Sequence, residues 1–247
     1  MNAFWIALLM LLGNEVPALP APRTLTLHGD LDGDGRSETV NVAFSLDEFG
    51  NHDPFRVSIG NSHYDGRCEG WKGEAAIVDV DSTDRWREIV IPQSGMDIES
   101  VLLIRFDGKD MKLVGHVPDG HPTIDGSGTI QTRCRGRILC DWFFPTGYRW
   151  NAAGGAFVEV PLAFKPMKVE VTLKRELALS QTPVSPFSRY ASLAPGTRAT
   201  IDLTDDVMWC HIRSEDGRAG WFFLQDGNKF SDGADVQAMF DGLPLAD

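Results

Sequence analysis

The chain lacks an apolar run long enough to cross a bilayer. Its longest, Ala3 to Leu12, is ten residues, about half of what a transmembrane helix requires. It is poor in positive charge, with 23 Lys and Arg against 35 Asp and Glu and a formal net charge of -12. Such a surface repels phosphate backbones, and no basic cluster interleaved with aromatics offsets it, so nucleic acid is not an expected partner. Signatures of catalysis are missing too: there is no GxSxG, no HExxH, no phosphate-binding glycine loop and no dinucleotide fingerprint. The cysteines Cys68, Cys134, Cys140 and Cys210 have no CxxC-type spacing, which argues against a zinc site. The six histidines are scattered. Their one local grouping with carboxylates, His52, Asp53, His63 and Asp65, reads as surface loop, because neither its spacing nor its flanks are diagnostic.

What the chain has instead is carboxylates in a pattern. From His28 to Val40 it reads HGDLDGDGRSETV, with Asp30, Asp32, Asp34 and Glu38 arranged around Gly33 and Gly35. Ca2+ takes six to eight oxygens, and a short loop supplies them when carboxylates recur at alternate positions. Carboxylates this close repel one another unless a cation lies between them, and the glycines let the backbone wrap it. The ligand set expected is Asp30, Asp32, Asp34, the Arg36 carbonyl and Glu38; a solvated acidic turn is the alternative. An EF-hand is excluded. The position of its bidentate Glu is Asn41, and the flanks Thr24–Leu27 and Thr39–Phe44 alternate with a period of two, so the loop joins strands rather than helices.

The same phrase returns. Asp79, Asp81 and Asp84, followed by Glu88, lie between Ala75–Val78 and Glu88–Ile91, 49 residues on from Asp30 to Asp79. They form a second candidate metal loop, with one extra residue and no glycine. A weaker echo, Asp125 to Ile130, has lost most of its carboxylates and reads as a structural turn. Recurrence at such a period marks a repeat architecture. GDLDGDGRSETV resembles the calcium loops of FG-GAP and VCBS-type repeats, over about residues 23–166. The resemblance implies an all-β repeat fold and a structural Ca2+, without implying an activity. The family's usual last ligand is Asp, where this chain has Glu38, and three repeats are too few to close a propeller ring.

From Met167 the composition changes. Val169–Leu173 opens a new β region, and Thr182-Pro183, Ser185-Pro186 and Pro195-Gly196 punctuate short strands. Leu193–Thr197, Ala199–Ile201, Val207–Ile212 and Asp216–Phe222 are similar, in that order, to bacterial SH3 domains, over about residues 168–228. The family's Asn-Val-Arg near the first strand is replaced by Leu177–Ser180. Trp209 and Trp221 are the candidate ligand-binding residues: flat aromatic surface at a small barrel's edge suits an extended peptide or a glycan, and core packing is the competing reading. In the tail, residues 229–247, Ser231-Asp232 is expected to cap a short helix whose Val236, Met239, Phe240 and Leu243 share a face.

The expected fold class is therefore all-β: an N-terminal β-repeat domain, incomplete propeller-like or sandwich-like, followed by a small SH3-like barrel. Residues 1–18 are expected to form a cleaved signal peptide, with Val16-Pro17-Ala18 at its end and a buried N-terminal helix as the alternative. Export permits disulfides, and Cys210, sharing a strand face with Ile212, reads as a small buried hydrophobe. The functional expectation is a non-catalytic, secreted or periplasmic Ca2+-binding protein of the bacterial envelope, whose partner is a protein, a peptide or a cell-wall polymer. One version is an inhibitor of a cell-wall hydrolase. The alternative is a cell-wall or polysaccharide hydrolase with an SH3-like targeting module.

Overall fold

Strict alternation builds the first sheet. Arg23–Gly29 (β1), Glu38–Phe44 (β2), Pro54–Ile59 (β3) and Ser62–Arg67 (β4) pair antiparallel in chain order. Val40, Val42 and Phe44 point into a core with Phe55, Val57 and Ile59, while Thr39, Asn41 and Arg56 face outward. The computed structural model describes residues 22–50, 53–67, 73–94, 99–118, 122–186 and 188–244. Among them the regular secondary structure is strand except for one four-residue helix, so the all-β class holds. The segment expected as a signal peptide, His52 and Cys68 lie outside the described residues.

A second meander repeats the strand order: Ala76–Val78 (β5), Glu88–Ser94 (β6), Glu99–Phe106 (β7) and Met111–Pro118 (β8). Its strands are apolar on both faces because it lies between two cores. Ile89, Ile91, Leu102 and Ile104 pack toward the first sheet. Val90, Val101 and Leu103 pack the other way, with Ile130 and Phe157 of a third sheet. That burial on both sides is why residues 101–104 read as an unbroken Val-Leu-Leu-Ile run. The third sheet has three strands, Thr129–Arg135 (β9), Phe143–Asn151 (β10) and Ala156–Glu159 (β11), with β10 in the middle.

The fourth sheet contains Lys165–Leu173 (β12), Leu177–Ser180 (β13), Arg189–Leu193 (β14), Arg198–Thr204 (β15), Trp209–Ser214 (β16), Ala219–Phe223 (β17) and Phe240–Asp241 (β18). Their order is β14-β13-β17-β16-β15-β12-β18, with β14 and β18 at the edges. Register shifts between Pro166 and Val169, Leu179 and Ser180, and Ile201 and Leu203 curl it around its core. That core reaches back across the boundary expected at 166–168. Ile138, Leu139 and Trp142 of the β9–β10 connection, with Phe144 of β10, are buried among Met167, Ile201 and Phe222. The Leu139 N–H donates to Gly227 O at 3.0 Å and to Asn228 Oδ1 at 2.8 Å, which ties the connection to the later part of the chain.

The tail differs from its expected form. Its helix is a single turn, Val236–Met239 (α1), entered from Asp235 with no side-chain cap. Asp232 instead accepts the Ala234 N–H at 3.0 Å and meets Arg175 at 2.8 Å. Val236, Met239 and Phe240 are buried as their spacing suggested. One turn suffices to bury the first two, and Phe240 then continues as strand beside Leu173.

Candidate metal centre and ligand face

The first acidic loop closes the β1–β2 hairpin, where Gly29 pairs with Glu38. Gly33 and Gly35 have φ of 70° and 86°, a region that L residues with a Cβ avoid. At Gly33 space is also exhausted: a Cβ would lie 2.5 Å from Arg85 Cβ and 2.8 Å from Arg85 O. Asp30, Asp32 and Glu38 converge, each offering one oxygen within 4.8 Å of the others. Backbone amides orient them. Gly33 N–H and Gly35 N–H donate to Asp30 at 2.8 and 3.0 Å, Asp34 N–H to Asp32 at 3.0 Å, and Leu31 N–H to Glu38 Oε2 at 2.8 Å. Asp34 stands apart from the three and accepts the Arg36 N–H at 2.7 Å. Glu38, the departure from the usual Asp, reaches the cluster.

Like charges about 4 Å apart near a protein surface repel by about 4 kcal/mol per pair. Among the described residues no Lys, Arg or His forms an ion pair with Asp30, Asp32, Asp34 or Glu38. The donor set is all carboxylate oxygen, the chemistry of a hard divalent cation. These residues therefore fit Ca2+: Asp30, Asp32 and Glu38 would hold it, and its charge would join the two ends of the hairpin loop.

The second loop closes β5–β6 at the corresponding place, with Val78 opposite Glu88, but its carboxylates meet arginines. Glu88 lies directly across from Arg105 of β7 and accepts from its Nε at 2.9 Å and also from Nη2. Both side chains are buried. Arg105 also approaches Asp84 to 4.0 Å and stacks over Trp150 of β10, 4.0 Å from the ring centre. Asp79 reaches Arg87 at 4.0 Å. Asp81 accepts both the hydroxyl and the N–H of Thr83, at 2.6 and 3.0 Å, which lowers its pKa below the ordinary carboxylate value. Burial pushes Glu88 the other way, against the pull of Arg105. Asp79 Oδ1 is buried without a hydrogen-bond partner among the described residues. The four predicted ligands of this loop are thus dispersed among different partners.

The loops also stack. Arg87 N–H donates to Leu31 O at 3.1 Å, Gly128 N–H to Val80 O at 2.8 Å, and Ser82 N–H to Gly126 O at 3.0 Å. Asp125, in the turn read as structural, accepts the Ser127 N–H at 3.1 Å. Asp65 and Asp53, the carboxylates of the histidine grouping, are held by Arg56 and Arg67 at 2.6 and 2.5 Å.

In the fourth sheet Trp209 is 7% exposed and packs edge-on against Phe223. Trp221 is half-buried, with His211 and Phe164 at ring separations of 5.0 and 4.7 Å. His211 Nδ1 lies 2.5 Å from Asp202. Cys140 and Cys210 are free thiols. Cys210 is fully buried, as its strand face suggested, and burial pushes the Cys140 and Cys210 thiols up to about 12.

Sequence reasoning missed Arg105. Only strand register brings it to Glu88, 17 residues away. A signal existed: an arginine inside the run Leu102-Leu103-Ile104-Arg105-Phe106 needs a buried partner. No protein-family model, curated protein or solved structure matches the chain.

Proposed function

We propose that this is a non-catalytic extracytoplasmic binding protein of the bacterial envelope. On this reading the first two sheets are FG-GAP/VCBS-like repeats stiffened by one Ca2+ in the first loop. The fourth is SH3-like and presents Trp221 and Phe164 to a protein, a peptide or a cell-wall polymer. The observation that carries it is the convergence of Asp30, Asp32 and Glu38 within 4.8 Å without an arginine or lysine between them. A cation there would be structural: the three carboxylates lie in one hairpin loop, and holding one ion would tie the two ends of that loop together. The half-buried Trp221 supports the ligand face, since a ring backed by Phe164 and His211 keeps its geometry while part of it meets solvent.

Co-sedimentation with purified bacterial cell walls in millimolar Ca2+ tests the reading. The protein is expected in the pellet, and Trp221→Ala is expected to shift most of it to the supernatant. A peptidoglycan zymogram run beside it is expected to stay uncleared; clearing would replace the binding function by a hydrolase.

A further inference from the structure

Leu31 stands between two of the first loop's carboxylates and is fully buried, because its side chain belongs to the core that the first two sheets share, with Ile89 and Ile104. Its backbone bridges the sheets as well. The N–H donates to Glu38 Oε2 at 2.8 Å, and the carbonyl accepts from the Arg87 N–H of the second loop at 3.1 Å. Two residues on, Gly33 lies so close to Arg85 of the same loop that no Cβ fits between them.

A further contact comes from the β7–β8 turn, residues 107–110. Phe106 and Met111 pair across its base and are buried in the same core. Asp107 closes the turn: its N–H donates to Asp110 O at 3.1 Å, and its carboxylate accepts the N–H groups of Lys109 and Asp110 at 3.1 and 2.8 Å. A turn anchored and capped in this way has little freedom to retreat. It presents Gly108, at φ 89°, to the first loop, where a Cβ on Gly108 would lie 2.6 Å from Asp32 Oδ2. The other oxygen, Oδ1, accepts the Asp34 N–H at 3.0 Å. Asp32 is therefore held between its own loop and a turn of the neighbouring sheet. Asp30 and Glu38 are oriented by amides of the loop itself.

Given the calcium reading of the first loop, on which this rests, we propose that Gly108 positions Asp32 for Ca2+. The ligand set is then completed across two sheets, and binding fastens the first sheet to the second as well as closing a hairpin. A side chain at 108 has different consequences with and without the ion. In the metal-free chain the Asp32 carboxylate turns away about its own torsions at little cost, since its neighbours Asp30 and Glu38 repel it already. With Ca2+ present the same turn removes a ligand. Groups that orient ligands in this way are typically worth about 10- to 100-fold in metal affinity.

The test is calcium titration calorimetry on the whole chain with Gly108→Asn, beside Gly60→Asn as control. Asn tolerates a left-handed backbone better than most residues, and Gly60, at φ 55° with nothing within 4 Å of a Cβ, carries the same backbone change without the contact. Gly108→Asn is expected to bind Ca2+ at least about tenfold more weakly than Gly60→Asn, while the two melt within about 2 °C of each other in EDTA. Amide exchange of the unmutated chain gives a second readout: Ca2+ is expected to slow exchange of the Arg87 N–H by at least about tenfold relative to EDTA, and to leave it unchanged in Asp32→Ala. Equal Ca2+ affinity in the two asparagine variants, or protection by Ca2+ confined to residues 30–38, would overturn the role of Gly108 and leave the metal centre standing. No binding of Ca2+ by the unmutated chain would remove the metal centre and the role of Gly108 together.

Discussion

The first and second acidic loops hold the same place in their sheets, each closing the opening hairpin of a four-stranded meander, and they meet the same charge problem differently. In the first, three carboxylates face one another and backbone amides are their only donors among the described residues. In the second, Arg105 crosses from the neighbouring strand to Glu88 and Arg87 approaches Asp79. An acidic loop between strands can thus take its counter-charge from its own sheet, as the second does, or leave its carboxylates facing one another, as the first does. Carboxylate spacing alone does not distinguish the two. The neighbour on the third strand does: at the level of Glu88 that strand carries Arg105, whereas Glu38 lies beyond the paired part of β3, which begins at Asn41 opposite Ser58.

The largest way to break this comparison is to remove the internal cation. Arg105→Met leaves Glu88 as a buried charge without its partner and is expected to cost about 3–5 kcal/mol in urea unfolding. Adding Glu88→Gln is expected to restore more than half of that, since both charges are then gone. If the single variant is as stable as the parent, the second loop is not held by its arginine. A smaller effect sharpens the same loop. Thr83 holds Asp81 below the ordinary value, so the stability Asp81 contributes is present above about pH 4 and lost as pH falls through its folded-state pKa. Thr83→Val is expected to raise that pKa toward the ordinary value in an NMR titration. An unmoved resonance would assign the shift to something other than the hydroxyl.

Much of the architecture was legible in the residues. Alternation in Thr39–Phe44 reads as a half-buried strand and is one, and the doubled spacing of Asp30 and Asp79 falls at equivalent hairpins. Of the first loop's expected ligands, Asp30, Asp32 and Glu38 come together, while Asp34 turns to its own backbone. That difference depends on φ at Gly33 and Gly35, which spacing does not reveal. Trp209 and Trp221 look alike in sequence, yet Phe223 covers the first and the second stays partly in solvent. The tail's apolar spacing marks buried residues, but a beta partner for Phe240 was invisible, because β12 lies about seventy residues upstream. The shared core of the β9–β10 connection and the fourth sheet was hidden for the same reason: contacts between distant segments leave no local period.

Calcium stoichiometry tests the central claim most directly. Isothermal titration of the metal-stripped chain and of Asp32→Ala, with melting followed in Ca2+ and in EDTA, counts the sites that carboxylate geometry assigns. One equivalent for the parent is predicted, with none for Asp32→Ala. Ca2+ at about a hundred times its dissociation constant should stabilise the parent by about 2.7 kcal/mol and the variant not at all. Two equivalents, one surviving in Asp32→Ala, would contradict the arginine-filled second loop, and equal melting in Ca2+ and EDTA would contradict the metal centre itself.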